Sequence, residues 1–145
     1  MTILKEIFKV VFAVSLSGSL QEELPMCNDE KYGLNDNTRD QLYNGIKPLM
    51  KSGQLAYKCE LEVASGMILE DPNKDFQFTE ATKTYPLIFE VEAKDGDTPS
   101  SVNKAALKFW EKYIPHLGTS RKAVGCGYLL QWGYHKFICL FDDKE

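Results

Sequence analysis

The sequence lacks most features that mark an enzyme or a nucleic-acid-binding protein. Among 145 residues it has only two histidines and four cysteines, no glycine-rich phosphate loop and no cluster of lysines and arginines. The net charge is −4, and an acidic chain without a basic cluster is a poor match for nucleic acid or an anionic membrane surface. Beyond the N-terminal segment, no apolar run approaches the ~18 residues of a membrane span. We therefore expect no nucleic-acid partner and no membrane.

Two of the four cysteines flank a turn signal near the C-terminus. In VGCGYLLQWGYHKFICLF, residues 124–141, the pair Trp132-Gly133 fits a two-residue hairpin loop, because Gly133 can adopt a positive φ. That loop places Cys126 opposite Cys139 in a non-hydrogen-bonded pair, with Cα atoms about 4.5 Å apart, which a disulfide can span. Zinc sites instead use C-x2-4-C knuckles, which this stretch lacks. We expect a disulfide; buried free thiols come next, and a metal or catalytic role last.

The first nineteen residues have the layout of a secretory signal peptide. Lys5 and Lys9 precede an apolar run at 10–16, and small residues follow. The alternative is an amphipathic N-terminal helix or strand of a cytosolic domain, because Glu6 interrupts the basic region. We expect a signal peptide at 1–19 and one domain at 20–145. The product is then secreted and extracellular, where disulfides persist.

Helical periodicity marks two segments in the first half of the chain. Asn35 or Asn37 is a candidate cap for a helix that Pro48 should kink or split. Residues 55–70 predict a second helix with one buried apolar stripe at a spacing of four, made of Leu55, Cys59, Val63 and Met67.

The second half of the chain predicts strands around one further helix. Residues 85–94 alternate in the manner of a strand, and a helix should begin with Thr98 as its cap and Pro99 at its first position. Both faces of the C-terminal hairpin are apolar, so helices should lie on either side of it. The sequence therefore predicts an α+β domain in which helices cover a small antiparallel sheet.

Four segments resemble, in order, landmarks of the CAP superfamily of cysteine-rich secretory, antigen-5 and pathogenesis-related-1 proteins. They are TRDQLYNGIKPLMKSGQ, LAYKCELEVAS, NKAALKFWEKY and AVGCGYLLQ with FICLF. The likeness touches most of residues 36–141 and is strongest to the activation-associated secreted proteins of nematodes. It implies an α-β-α sandwich, here smaller than a full CAP domain, and a bond between Cys126 and Cys139. Given that bond, Cys27 and Cys59 are the expected second pair.

The sequence departs from the family at the site where CAP domains usually carry two histidines and two acidic residues. His116 lacks the threonine and glutamine that should follow it and lies too close to Gly125. His135 lies on the hairpin beside the turn, and YPLIFEV replaces the expected G-E-N motif. We therefore expect no metal, no cofactor and no catalytic residue.

Two further groups of residues are interpreted as structural. The acidic pairs Asp71/Asp75 and Asp95/Asp97 are typical of solvated turns rather than of a cation site. The aromatic residues Phe109, Trp110 and Tyr113 are predicted to pack in the core rather than to line a ligand pocket.

The function that these features favour is binding rather than catalysis. We expect a secreted, non-enzymatic CAP-like protein that binds an extracellular protein through surface loops, with 71–84 and 114–122 as candidates. The resemblance implies, by analogy, a partner in a host's immune or haemostatic system. The alternative is a carrier of a small apolar ligand such as a sterol or lipid. A hydrolase that uses His116 as its base is a third hypothesis.

Overall fold

The computed structural model describes residues 24–71 and 77–144, so the predicted signal segment and Asp75 lie outside the described residues. None of the described helices is long and apolar enough to cross a membrane. The elements, in chain order, are α1 (Asp36–Ile46), β1 (Ala56–Tyr57), α2 (Cys59–Glu70), α3 (Gln77–Thr82), β2 (Tyr85–Glu92), α4 (Pro99–Trp110), β3 (Ala123–Gln131) and β4 (Tyr134–Asp142), with short 3-10 helices at Lys47–Leu49 and Ile114–Leu117.

Local sequence signals set the starts of two helices. Asn35 Oδ1 accepts the backbone N–H of Thr38 at 2.8 Å and so caps α1. Thr98 and Ser101 cap α4 reciprocally, each side-chain oxygen accepting the other's backbone N–H, and Pro99 occupies the first turn. The first predicted helix gives way to a 3-10 helix at Pro48, as expected for a residue that lacks a backbone donor.

The sheet has the order β1-β3-β4-β2. β3 and β4 form the predicted hairpin, with Cys126 paired to Cys139 and positive φ at both Trp132 and Gly133. β2 pairs antiparallel with the other side of β4. β1 pairs parallel with β3, a strand that the sequence did not reveal because two residues are too short to show alternation.

Helices cover both faces of this sheet, which gives an α-β-α sandwich. On one face α2 lies against β3 and β4. It approaches closely because Gly125 and Gly127 present no side chain: a Cβ on either would lie within 3.0 Å of the α2 backbone. On the other face α1 and α4 enclose the larger core, whose largest fully buried side chains include Leu42, Ile46, Trp110, Phe137 and Phe141.

The stripe predicted for the second helix is wrong. The helix begins only at Cys59, which is half-buried, and Met67 is 54% exposed. α2 packs closely on Gly125 and Gly127 of β3, and this contact determines which side of the helix faces inward. That side is made of Leu61, Glu62, Ala64, Ser65, Ile68 and Leu69.

β2 forms one edge of the sheet, and that edge is partly closed. Pro86 has no N–H to offer a further strand. The register turns the backbone of Ile88 away from β4, and its carbonyl accepts the indole N–H of Trp110 at 3.2 Å. The outward groups of β2 are therefore not all free to pair.

Candidate functional site

A buried ion pair joins the first two helices to the sheet. Glu62 Oε1 and Oε2 accept the Nε and Nη2 hydrogens of Arg39 at 2.8 and 2.9 Å. The Tyr57 hydroxyl also donates to Glu62 Oε1, and the N–H of Leu34 donates to Oε2 at 3.0 Å. Tyr57 Oη in turn accepts the N–H of Cys126 at 3.2 Å. One carboxylate thus connects α1, β1, α2 and, through Tyr57, β3.

Arg39 is charged and Tyr57 is neutral in this network at neutral pH. Its hydrogen bonds to Glu62 raise the pKa of Arg39, so the guanidinium stays protonated. Burial, followed by the charge of Glu62, raises the pKa of Tyr57, so the phenol stays neutral. Arg39 is 2% exposed and Glu62 is fully buried. The network therefore holds the fold together and is not placed to meet a partner.

Two disulfides hold the domain. Cys126 and Cys139 join β3 to β4 in the core, with Cα atoms 4.0 Å apart. Cys27 and Cys59 join the segment before α1 to the start of α2, with Cα atoms 5.3 Å apart. All four cysteines are therefore bonded, and a thiol nucleophile is not available.

The tip of the hairpin carries an aromatic side chain in an unusual backbone state. Trp132 has φ +54°, a left-handed conformation that bulky residues rarely adopt, and its side chain is 71% exposed. Its ring lies over the Lys136 ammonium, with Nζ 4.6 Å from the ring centroid, and Gln131 Oε1 accepts a hydrogen bond from the same Nζ at 3.4 Å. The indole is therefore held in place on one face while its other face meets solvent.

Further exposed side chains share this face of the sheet. Residues paired across strands project to the same side, and Glu90 pairs with Lys136 while Glu92 pairs with Tyr134. Tyr134 is 42% exposed, and both glutamates are exposed. We call Glu90, Glu92, Trp132 and Tyr134 the hairpin-tip surface.

His135 lies on the opposite face of the hairpin and is 8% exposed. Its Nδ1 lies 2.7 Å from the Tyr128 hydroxyl, and its Nε2 lies 3.1 Å from Asp97 Oδ2. The backbone N–H of Lys94, with His135, lowers the pKa of Asp97, whereas burial and the Asp97 charge raise the pKa of Tyr128. Asp97, predicted to be an ordinary turn residue, therefore anchors the loop before α4 to the sheet.

These three side chains line a cleft of about 300 Å³ between the first turns of α1 and α4. Its other walls are polar and apolar in similar number, and are formed by Gly33, Leu34, Asn35, Thr38, Thr98, Pro99, Val102 and Asn103.

His116, the candidate base, lies elsewhere. It is exposed in the 3-10 helix Ile114–Leu117 and faces a pocket of about 270 Å³ that Tyr85, Tyr113 and Arg121 also line. Its imidazole makes no hydrogen bond or ion pair with any residue in the described part of the chain, so nothing there orients it as a base. Tyr113 is exposed, as is Phe109, which corrects the prediction that both lie in the core; Trp110 is fully buried.

A larger groove of about 470 Å³ runs along one flank of α2, between its buried side and its exposed side. Val63, Ala64, Met67 and Ile68 give it an apolar wall, and the other described lining residues are Glu60, Asp71 and Gln77. Val63 and Met67, two of the four residues of the predicted buried stripe, therefore line a surface groove.

Comparison with known proteins supplies the family. The family model described as Ancylostoma-associated secreted protein related matches residues 27–141. No curated protein matches the sequence. Manganese-bound Ac-ASP-7, an Ancylostoma-secreted protein, shares the fold with a TM-score of 0.61 and 13% identity, over 85% of this chain and 79% of that one.

Two further solved structures share the fold at similarly low identity. NaASP2 with Zn²⁺ has a TM-score of 0.56 and 13% identity, over 80% of this chain and 83% of its own. Hookworm platelet inhibitor has a TM-score of 0.53 and 12% identity, over 82% and 75%. Because the family model covers most of the sequence, this chain belongs to the Ancylostoma-associated secreted protein related family, within the CAP superfamily of secreted proteins.

Proposed function

We propose that this chain is a secreted, non-enzymatic binding protein that engages an extracellular protein through its hairpin-tip surface. Membership of a family of secreted proteins supports the location. The observation that carries the binding surface is Trp132, an exposed indole in a left-handed backbone conformation over Lys136. Strained residues persist where the surrounding structure holds them, and they concentrate at functional positions.

The tip has the properties of a binding hot spot. Tryptophan and tyrosine are enriched among the residues that dominate binding at protein interfaces, and Trp132 and Tyr134 lie two positions apart at the tip. The disulfide between Cys126 and Cys139 and the contact with Lys136 restrict the hairpin before binding, so little conformational entropy is lost when a partner docks. A rigid aromatic anchor of this kind favours a protein surface with a matching apolar pocket.

The charge of the tip indicates the chemistry of that partner. Glu90 and Glu92 are exposed beside the aromatic pair, whereas Lys136 is buried beneath the indole. The chain as a whole carries a net charge of −4. The complementary surface is therefore one in which lysine or arginine side chains surround an apolar pocket.

Matched variants test this proposal. Trp132→Asn removes the indole and keeps the turn, because asparagine tolerates positive φ. The control is Tyr113→Ser, which removes an exposed aromatic ring just after the C-terminus of α4. Wild type and each variant are immobilised and incubated with mixtures of extracellular proteins. The proteins that each one retains are then measured by quantitative mass spectrometry. We expect proteins retained by wild type and by Tyr113→Ser to fall at least about 10-fold on Trp132→Asn. If only Tyr113→Ser reduced retention, the partner would bind near residues 114–122, and the proposal for the hairpin-tip surface would be wrong.

A second function, carriage of a small apolar ligand, is favoured by the groove along α2. Its apolar wall of Val63, Ala64, Met67 and Ile68 suits an aliphatic or sterol-like body. Native mass spectrometry of protein secreted from eukaryotic cells tests this directly. A co-purifying lipid mass that Met67→Glu abolishes would support the carrier, and a single unliganded mass would argue against it.

Divalent metal does not enter the proposal, although manganese and zinc are named with two of the relatives. Among residues 24–71 and 77–144, no three His, Cys, Asp or Glu side chains are grouped to hold an ion. His135 and Asp97 approach each other, but their hydrogen bonds to Tyr128, to each other and to Lys94 already engage the ring and one carboxylate oxygen. The donor set of the described residues therefore does not fit a metal centre.

A further inference from the structure

We infer that the cleft beside His135 is a binding site for a small organic ammonium ion with a compact apolar body. This site lies on the other face of the hairpin from the hairpin-tip surface and is independent of the proposed protein partner. Four properties of its walls, namely hydrogen-bonding character, charge, the state of the helix ends and shape, lead to this ligand class.

Two side-chain acceptors of the cleft remain available to a ligand. Asn103 uses its side-chain N–H groups on Thr38 and Gln41, at 3.4 and 3.0 Å, which leaves its carbonyl oxygen as an acceptor. Asp97 Oδ2 accepts the N–H of Lys94 and faces His135, which leaves Asp97 Oδ1 as a second available acceptor. An ammonium group carries three donors and no acceptor, so it complements such a lining.

The charge of the lining also selects a cation. Among the described residues that line the cleft, Asp97 carries the one carboxylate, and none is a lysine or arginine. The pKa of Asp97 lies below its ordinary value, so this carboxylate is ionised across the physiological range. An ion pair with hydrogen bonds is stronger than a bond between neutral groups.

The two helix N-termini that meet at the cleft do not reverse this preference. Such ends attract anions through their free N–H groups and dipole. Here Asn35 and Thr98 already accept the N–H groups of Thr38 and Ser101. Each capping oxygen therefore already occupies one of the N–H groups that would otherwise attract an anion.

The remaining walls set the size and shape of the ligand. Leu34, Pro99 and Val102 form an apolar side, and the Tyr128 ring contributes an aromatic one. A volume of about 300 Å³ lies at the small end of the range for ligand pockets. An arylalkylamine of single-ring size fits this combination, with its ammonium at Asp97 and its ring against Val102.

A matched set of three probes tests the inference on the intact protein. Calorimetry and NMR compare 2-phenylethylamine with 2-phenylethanol and 3-phenylpropionate, which keep the ring but replace the cation by a neutral group or an anion. We expect the amine to bind at least about 10-fold more tightly than the alcohol, and the acid not to bind. In the wild type, the amine should shift the resonances of Val102 and Tyr128 and leave those of Met67 unchanged.

Two variants separate Asp97 from general charge. Asp97→Asn should remove the preference for the amine, whereas Asp95→Asn, the same change in the exposed loop nearby, should keep it. Equal affinity for amine and alcohol, no binding of the amine at millimolar concentration, or an unchanged preference in Asp97→Asn would overturn the assignment. If Asp97→Asn does not fold, the three probes and the shifts at Val102 against Met67 still decide it on the wild-type protein.

Discussion

Arg39 and Glu62 are joined at two points, Nε to Oε1 and Nη2 to Oε2, inside a domain where both side chains are almost completely excluded from solvent. The two residues lie 23 positions apart and belong to α1 and α2. Because these helices lie on opposite faces of the sheet, the pair passes the edge of the sandwich near β1 and ties its layers together.

Removing one member of this pair should be among the most damaging single changes in the chain. Glu62→Gln removes the buried counter-charge of Arg39 and leaves its guanidinium with only the exposed Asp36 carboxylate, 2.7 Å from Nη1. Breaking a buried ion pair typically costs about 3 to 5 kcal/mol of unfolding free energy, and we expect a loss at the lower end of that range. Urea denaturation measures the loss. Glu60→Gln, an exposed neighbour on the same helix, is the control and should change stability by less than about 0.5 kcal/mol. Equal effects of the two changes would show that the pair does not stabilise the fold.

The contact between α2 and the sheet predicts a second stability effect. A Cβ on Gly127 would lie 2.8 Å from the backbone nitrogen of Gly66, so Gly127→Ala must push the helix away, at about 1 to 3 kcal/mol. Gly45→Ala is the matched control, because its Cβ would meet only the flexible end of Leu107, and alanine favours the helix. Thermal unfolding should show a clear loss for the first variant and a much smaller change for the second. A larger loss for Gly45→Ala would contradict the close approach.

The backbone at Trp132 predicts a difference in stability between two variants that both lack the indole. Trp132→Asn and Trp132→Ala both remove the indole and its contact with Lys136, so they differ only in how well each residue adopts positive φ. We expect the asparagine variant to be more stable than the alanine variant by about 1 kcal/mol. Chemical denaturation of the two proteins gives this difference directly. Identical stabilities would mean that the turn conformation is not under strain.

Acid should weaken the anchor of the loop before α4. The pKa of Asp97 is lowered in the folded protein, chiefly by the N–H of Lys94, so ionised Asp97 stabilises the fold above the unfolded pKa of about 3.9. This contribution disappears as the pH falls through the lower folded pKa. The melting temperature of wild type should therefore exceed that of Asp97→Asn at neutral pH, and the gap should close below about pH 4. Asp95→Asn supplies the control; a gap that widens in acid would reverse the sign argued here.

Much of the fold follows from local patterns in the sequence. The register of β3 and β4 follows from the two-residue turn and the alternation of side chains along each strand. The start of α4 follows from Thr98 as its N-cap and Pro99 at its first position. The stripe of α2 does not follow, because the glycines that decide which side of that helix faces inward lie about sixty residues away. A spacing of four at Leu55, Cys59, Val63 and Met67 satisfies helical periodicity without reporting what the helix packs against.

The candidate sites depend even more on contacts between distant residues. Charged residues are normally solvated, and nothing local distinguishes Glu62, which is buried, from Glu60, which is exposed. Asp97 and His135 are 38 residues apart, so their contact exists only once α4 and the hairpin have docked. Trp132 did leave a local signal in the sequence. Tryptophan before glycine in a tight turn is unusual, because asparagine or aspartate is preferred at that position.

The arrangement at β2 bears on how the protein behaves when it accumulates. With a proline in the outer strand, an indole bonded to the carbonyl of Ile88, and glutamates at the remaining outward positions, a second molecule finds few groups with which to extend the ladder. β1 at the opposite margin is only two residues long. Aggregation by edge-to-edge pairing of sheets from two molecules is thus disfavoured at both margins.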